Sequence, residues 1–352
     1  MVDFIIIGQG LAGSILSYTL LNKGYSVQVI DDNKPNTATK VAAGLFNPIT
    51  GKRLVKSWLV DELFAYSKDF YSALESSLKK SFFYEMPILK PIQTVEEQNF
   101  FFSKSADSSW SDYVSIYNTC EFDYVNSSNG YAIIHKAGWV NTSKMKEAMQ
   151  AYLKNENAFI QTNFSTEELL TTEAGIEWKG IKAKKIIFCD GFRSIYNPYF
   201  SYLPFRVTKG EQLIIKADLP RNQIINKGVF IVPLEDDKFL VGATSELTDE
   251  NEVTEKGKEK LIEKLDRLIT VPYTIIDQKS GIRPTVADRK PIIGFHPTNP
   301  RIGVFNGMGT KGVSLAPLLA KEWVESFDDG GQVRAEVQIE RYHKHFQNTG
   351  NS

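Results

Sequence analysis

The stretch FIIIGQGLAGSILSYTLLNKGYSVQVIDD, residues 4–32, decides the fold. It reads as an apolar strand, a glycine turn, a helix, a second strand and an acidic pair in unbroken order. In such a unit Gly8 permits the tight turn, Gly10 lets the backbone approach a pyrophosphate, and Gly13 lets the helix pack closely on the strand. The helix directs free N–H groups at the phosphates, and the carboxylate of Asp31 accepts the hydrogens of a ribose diol. The pattern predicts a dinucleotide-binding βαβ unit.

Length and charge limit the class of protein to which the chain can belong. The chain has 352 residues, enough for two domains, because single hydrophobic cores stop growing near about 250 to 300 residues. Its formal net charge is -1, with acidic and basic residues mixed along the sequence. This balance gives no global attraction to nucleic acid or acidic membranes, although it is compatible with a local basic patch.

The cysteines and the N-terminus indicate a cytoplasmic protein. Cys120 and Cys189 lie far apart, in neither a C-x-x-C nor a metal-ligand spacing, so we expect a reducing compartment and no metal site. Asp3 stands directly before the first strand, which leaves no room for a cleavable leader. No apolar run approaches the roughly 18 residues of a membrane-spanning helix, so we expect no transmembrane segment.

The pattern changes in the middle of the chain. Three short β runs at 212–216, 229–233 and 239–242 follow one another without helices between them, and they predict an antiparallel sheet. Asn129-Gly130 lies between apolar runs at 122–125 and 131–135, which predicts a β-hairpin. Close to the C-terminus, the pattern predicts an outer helix over 335–346.

A second glycine turn lies far from the first. A strand predicted at 302–305 leads into Asn-Gly-Met-Gly-Thr-Lys-Gly at 306–312, and a helix is predicted from Val313 onward. A helix N-terminus therefore follows this turn too, and its unpaired N–H groups and dipole attract negative charge.

Taken together, these motifs resemble the D-amino-acid oxidase superfamily of FAD enzymes, in the branch of glycine oxidase, sarcosine oxidase and D-amino-acid dehydrogenases. The oxidase half of the bifunctional enzyme that trims carboxymethylaminomethyl-uridine in tRNA is also similar. The matching stretches are 4–32, 39–48, 138–140, 186–191, 204–211, Pro233 with 241–244, 281–294 and 306–317. They follow the order of the family across nearly the whole chain, and a clear match is missing for about 61–127.

The resemblance implies an α/β plus α+β fold. Its parts are a Rossmann-like FAD-binding domain of the glutathione-reductase type and a substrate domain with a mixed, mainly antiparallel sheet. It assigns 1–60, 136–205 and 277–352 to the FAD-binding domain, and it assigns 61–135 and 206–276 to the substrate-binding domain.

The resemblance also implies a noncovalently bound FAD. Family members that hold FAD covalently use a cysteine in the stretch matching 281–288, and no cysteine occurs there in this chain. Cys189-Asp190 departs from the usual small pair before Gly191. The residues expected around the FAD are Gly8, Gly10, Leu11, Ala12, Gly13, Asp31, Asp32, Thr39, Ala42, Ala43, Gly44, Phe164, Gly191, Arg283, Gly307, Gly309, Thr310, Lys311, Gly312 and Val313.

Arg283 is the first candidate for binding the substrate, because a guanidinium group holds a carboxylate at two points. The alternative for Arg283 is a structural ion pair with Asp288. Arg53 and Lys311 are secondary catalytic candidates. Where glycine oxidase has a second arginine in the final glycine turn, this chain has Thr310 beside Lys311, so the substrate is expected to be held differently.

The activity implied is oxidation of a C–N bond in a small amino acid or secondary amine. A hydride passes from the carbon beside a neutral amine to flavin N5, water hydrolyses the imine, and O2 or a downstream acceptor takes the electrons. The alternatives are a tRNA-modifying amine oxidase acting on carboxymethylaminomethyl-uridine, a 2-hydroxy-acid dehydrogenase, an FAD-binding protein without turnover, and an NAD-dependent dehydrogenase.

Overall fold

The computed structural model of the protein describes residues 1–50, 55–119, 121–328 and 331–349. Its helices are α1 (Leu11–Asn22), α2 (Ala38–Val41), α3 (Val60–Leu78), α4 (Val95–Ser105), α5 (Thr142–Asn155), α6 (Glu255–Asp266), α7 (Gly312–Glu325) and α8 (His343–Thr349). Short 3-10 helices lie at Ser108–Trp110, Thr166–Glu168, Gly191–Tyr196 and Ile339–Tyr342. Within these described residues, no helix is both long enough and apolar enough to cross a membrane.

The strands lie between these helices, in several places one after another with no helix between them. They are β1 (Val2–Ile7), β2 (Val27–Asp31), β3 (Leu45–Phe46), β4 (Ile49–Thr50), β5 (Val55–Lys56), β6 (Phe83–Glu85), β7 (Ile88–Pro91), β8 (Val114–Tyr117), β9 (Tyr131–Ile134), β10 (Gly138–Val140), β11 (Phe159–Gln161), β12 (Leu169–Thr172), β13 (Gly175–Trp178), β14 (Ile181–Phe188), β15 (Thr208–Ala217), β16 (Ile224–Lys227), β17 (Val229–Pro233), β18 (Lys238–Gly242), β19 (Glu246–Leu247), β20 (Tyr273–Arg283), β21 (Ile292–His296) and β22 (Asn299–Asn306).

The first sheet is built on parallel strands. Strands β11, β2, β1 and β14 lie side by side in this order, and β22 pairs with the far edge of β14, again in parallel. Phe4 and Ile6 of β1 face a core with the helices α1 and α7, whereas Ile5 and Ile7 face a second core on the other side. Burial on both faces is typical of parallel sheets, and it explains the continuous apolar run in the sequence.

The second sheet is mainly antiparallel, as the middle of the sequence predicted. Its order is β19-β15-β18-β17-β16-β7-β9-β8, with β20 also paired to β15, and β16 with β7 is its parallel pair. One face packs Leu213, Ile231 and Val241 against Leu261 and Leu265 of α6. The opposite face packs in part against Phe101 of α4 and Trp110, and in part it lines a cavity at Gln212 and Phe230. The structure thus confirms the predicted combination of a nucleotide-binding α/β unit with a largely antiparallel sheet.

The predicted β-hairpin around Asn129-Gly130 was wrong. The Asn129-Gly130 turn does not join 122–125 to 131–135, because β9 pairs with β8 and β7 instead. Val125 makes an isolated bridge to Ile269, and Phe122 packs against the core that covers α6. Burial of this segment on the α6 side competes with the local turn signal and decides the pairing.

The C-terminal prediction was right in type but wrong in extent, since regular helical structure begins with the 3-10 turn Ile339–Tyr342 and continues as α8. The predicted division into domains stays a prediction. Strand β20 runs without a break through the predicted boundary at residue 277.

Candidate active site

The glycine turn after β1 is closely packed. A Cβ atom added at Gly8, whose φ is +96°, would lie 2.6 Å from the carbonyl oxygen of Cys189. A Cβ atom added at Gly13 would lie 1.9 Å from the carbonyl oxygen of Gly8. Neither position has room for a larger residue, so α1 sits directly against the turn. Gly10 faces open space apart from the Thr39 hydroxyl oxygen, which also accepts a hydrogen bond from the Leu11 N–H at 2.9 Å.

Asp31 ends β2 beside this turn. Its Oδ2 accepts the Gln9 N–H at 2.8 Å, and its Oδ1 accepts the Asn33 N–H at 2.8 Å. Lys146 Nζ lies 3.3 Å from the same Oδ1, and the two side chains are 2% and 13% exposed for Lys146 and Asp31. Because each carboxylate oxygen can accept about two hydrogen bonds, Oδ2 keeps a free acceptor position.

Lys146 was not predicted as part of this site. Its ammonium group also donates to the side-chain oxygen of Gln9 at 2.9 Å, and Gln9 is itself fully buried. Burial lowers the pKa of Lys146, while the charge of Asp31 acts in the opposite direction. The glycine turn, the acidic strand end and α5 are thereby joined by one buried polar cluster.

Asp32 points toward Arg193, whose Nη1 donates to its Oδ2 at 2.9 Å. Lys34 Nζ lies 3.4 Å from the same oxygen. Burial favours the neutral acid, but the hydrogen bond and charge of Arg193 outweigh it, so the pKa of Asp32 is lowered.

Two cavities meet at the glycine turn. The first, of about 420 Å³, extends toward the second sheet, and the second, of about 670 Å³, extends toward the end of β2. The predicted cofactor residues lining the first cavity are Gly10, Leu11, Ala12, Thr39, Ala42, Ala43, Gly44, Gly191, Arg283, Gly309, Thr310, Lys311, Gly312 and Val313. Those lining the second cavity are Gly8, Gly10, Asp31, Asp32, Thr39, Phe164 and Gly191.

Two of the predicted residues that the structure describes, Gly13 and Gly307, are not in either lining. Gly13 packs under the turn, and a Cβ atom added at Gly307 would lie 2.6 Å from Val286 Cγ2, so both glycines serve close packing behind the cavities. Arg53 lies outside the described residues.

A network of hydrogen bonds joins the second glycine turn to the segment that follows β14. The amide nitrogen of Asn306 donates to Asp190 Oδ1 at 3.1 Å, to the Gly191 carbonyl at 2.8 Å and to Ser194 Oγ at 2.8 Å. Its amide oxygen accepts the Gly307 N–H at 2.8 Å. Burial raises the pKa of Asp190. The departure Cys189-Asp190 thus supplies a carboxyl group that ties the segment after β14 to Asn306 at the start of the second glycine turn.

Arg283 reaches the first cavity from the end of β20. Its guanidinium group occupies the space beside Gly210, where an added Cβ would lie 1.8 Å from Nη2. Nη1 donates to the carbonyl oxygen of Thr244 at 3.3 Å, and burial lowers the pKa of the group. The alternative ion pair with Asp288 is wrong, because that carboxylate accepts from Arg341 Nε at 3.0 Å. Within the described part of the chain, Arg283 has no carboxylate partner.

Lys311 stands at the N-terminus of α7, on the same cavity. Its ammonium group donates to Ser57 Oγ at 3.3 Å. Burial lowers its pKa, and the charges of Lys290 and Arg289 add to this effect. The first N–H groups of an α-helix have no partner within the helix, so α7 and Lys311 together make this end of the cavity electropositive.

The sequence profile described as FAD dependent oxidoreductase (DAO) matches residues 3–326, and the chain belongs to this family of flavoenzymes. The expected family membership is therefore confirmed. The match includes both glycine turns and Arg283.

Known proteins agree with this assignment. The chain is 23% identical over 350 residues to an uncharacterized oxidoreductase, YurR, of Bacillus subtilis, covering 92% of this chain and 94% of that one. It is 20% identical to the tRNA 5-methylaminomethyl-2-thiouridine biosynthesis bifunctional protein MnmC of Legionella pneumophila, over 95% of this chain and 54% of that protein. The glycine oxidase structure from Geobacillus kaustophilus shares the fold, with a TM-score of 0.80, 21% identity, and coverage of 96% of this chain and 98% of that chain.

Proposed function

We propose that the protein binds FAD noncovalently and oxidises the C–N bond of a small amino acid or secondary amine. The observation that supports this most is Arg283. Its guanidinium lines the same cavity as residues of both glycine turns and has no carboxylate partner among the described residues. A half-buried cation with unused donors is suited to a substrate carboxylate.

The residues of the two cavities fit an elongated dinucleotide. Gly10 lies where the cavities meet, with no side chain of its own, so a pyrophosphate would approach the backbone at the N-terminus of α1. Asp31 lines the second cavity with a free acceptor position for a ribose hydroxyl. The larger part of the first cavity is left for the flavin ring and the substrate.

When bound, FAD supplies the redox chemistry by accepting a hydride from the carbon beside the amine. The residues of the chain orient the substrate and stabilise the charge that develops in the cavity. Arg283 holds the carboxylate and so fixes the position of the neighbouring carbon. Lys311 and the N-terminus of α7 stabilise negative charge at their end of the cavity. The proposed reaction also requires an electron acceptor, which is O2 or a downstream acceptor.

An anaerobic screen of amines tests this function. We expect the purified protein to be yellow and its flavin absorbance to bleach on mixing with glycine-like or N-alkylated amino acids, but not with 2-hydroxy acids. Bleaching by hydroxy acids alone would mean a 2-hydroxy-acid dehydrogenase. A yellow protein that no substrate bleaches would mean FAD binding without turnover, and a colourless protein that uses NAD would contradict FAD binding itself.

Noncovalent attachment gives a separate prediction. Cys189 lines the first cavity, but it is buried and its pKa is raised well above the usual range, so it is a poor nucleophile. We expect acid or heat denaturation to release all the flavin into the supernatant, measured by its fluorescence after centrifugation. Fluorescence that stays on the protein band in a denaturing gel would show a covalent bond.

A tRNA-modifying amine oxidase is the second candidate, because the alignment with MnmC covers 95% of this chain. Binding of tRNA releases counterions, so its affinity falls steeply with salt concentration. Tight binding of undermodified tRNA with such a salt dependence, together with flavin bleaching by that tRNA, would favour this candidate over a small-molecule substrate.

A further inference from the structure

One row of residues crosses the cavity-facing side of the second sheet. Gln212 on β15 pairs with Gly242, Gly242 with Phe230, and Phe230 with Asn226. The next strand is β7, where Ile225 pairs with Leu89, so Lys90 stands beside Asn226 at the end of the row. Side chains alternate between the faces of a strand. Leu89 packs on the α6 side, and Lys90 therefore faces the cavity side.

Lys90 joins the first cavity to a third one. The third cavity, of about 680 Å³, opens beyond the row, and it shares Lys90, Asn226 and Phe230 with the first cavity. The space in front of Arg283 therefore continues across Phe230 as far as Lys90. A ligand lying along this row would reach both cations.

Lys90 has no ion-pair partner among the described residues. The carboxylate in this region is that of Glu97, and Lys227 Nζ binds both of its oxygens at 2.5 Å. Burial and the charge of Lys227 lower the pKa of Lys90, and the charge of Glu97 offsets them only in part. Lys264 and Arg267 add positive charge at the outer end of the third cavity.

We propose, on the basis of the proposed function, that the amine substrate carries a second carboxylate, and that Lys90 binds it while Arg283 binds the first. The Arg283 guanidinium lies against Gly210 of β15, and β7 lies four strands further along the sheet. At about 4.8 Å per strand this separation is about 19 Å, of which the lysine side chain and the two hydrogen-bond contacts span a part. Glycine is too short to reach both cations, so the substrate class is an elongated dicarboxylic amine.

Binding of unreactive analogues to the holoenzyme tests this inference apart from turnover. The first probe is (carboxymethylthio)hexanoate, a thioether whose two carboxylates lie about 10 Å apart when extended. The second is the carboxylate (hexylthio)acetate, which has the same thioether chain but lacks the distal carboxylate. Both replace the amine by a thioether, so neither can be oxidised as an amine. Dissociation constants are measured from the perturbation of the flavin absorbance.

We expect the dicarboxylate to bind wild type about tenfold more tightly than the monocarboxylate, and Lys90→Met to abolish this preference. Lys90→Arg should retain it. Lys264→Met is the matched control, because it removes the same charge from the exposed outer end of the third cavity, and it should leave the preference intact.

Equal affinities of the two probes for wild type, or a preference that survives Lys90→Met, would overturn the inference. Displacement of the dicarboxylate by an equal concentration of a short RNA hairpin would overturn it as well, in favour of a phosphate-binding surface. If no amine bleaches the flavin but the preference for the dicarboxylate still depends on Lys90, the proposed function would be contradicted and the anion site at Lys90 would be supported.

Discussion

Arg283→Lys is expected to raise the KM for a carboxylate-bearing amine by about 10- to 100-fold, because charge-assisted hydrogen bonds contribute about 1.5–3 kcal/mol. The guanidinium group is planar and presents several N–H donors in fixed directions, whereas a lysine offers a single rotating ammonium. The space beside Gly210 is filled by that planar group, and an ammonium would not occupy it in the same way. Steady-state kinetics with the best amine from the screen measures the effect.

A matched control separates substrate binding from general damage. Arg341→Lys makes the same chemical change at an arginine that pairs with Asp288 and lies outside the first cavity, and it should leave KM unchanged. The flavin spectrum and the FAD content of Arg283→Lys should equal those of wild type. An unaltered KM in Arg283→Lys would mean that the carboxylate is bound elsewhere, and the proposed orientation of the substrate would then be wrong.

The parts of the site that the sequence predicted are those with local causes. The turn at Gly8 and the packing at Gly13 depend on backbone contacts within one βαβ unit, so a short pattern of glycines reveals them. The helix after Gly312 was predicted for the same reason. Arg283 was placed by a motif resemblance, because nothing in its neighbours distinguishes a substrate ligand from a structural cation.

The parts that the sequence did not predict depend on contacts between distant segments. Lys146 sits in an amphipathic helix, where a lysine normally indicates the solvent-facing side. It is buried because α5 crosses the glycine turn beside Gln9 and Asp31. Asn306 ends β22 and Asp190 follows β14, and the parallel pairing of these two strands brings the two residues together.

The role of Lys90 could not be predicted from its local sequence either. Its strand reads Ile-Leu-Lys-Pro, and a single lysine after two apolar residues carries no local sign of a ligand site. In the folded chain Lys90 lines a cavity together with Gly10 of the first glycine turn and Arg283. Tertiary structure therefore converts an ordinary surface position into a candidate anion site.

Asp31→Ala should both weaken FAD binding and destabilise the protein, and the double variant Asp31→Ala/Lys146→Met should separate the two effects. Removing the carboxylate leaves the Lys146 ammonium, which is 2% exposed, with the side-chain oxygens of Gln9 and Asn33 as its remaining partners. Breaking a buried ion pair from one side costs about 3–5 kcal/mol, whereas replacing both partners by apolar groups is often close to neutral. Methionine has nearly the length of lysine without its charge.

We therefore expect the double variant to recover most of the unfolding free energy lost in Asp31→Ala, measured by urea denaturation of the two holoproteins at the same FAD concentration. Both variants lack the carboxylate, so the stabilisation that bound FAD contributes is reduced equally and does not affect the comparison. The affinity for FAD, measured by quenching of flavin fluorescence, should stay about 10- to 100-fold below that of wild type in both, because the acceptor for the ribose diol is missing from each. Wild-type FAD affinity in either variant would contradict the ribose role of Asp31. A double variant no more stable than the single one would instead show that the buried charge of Lys146 is compensated by Gln9 and Asn33 alone.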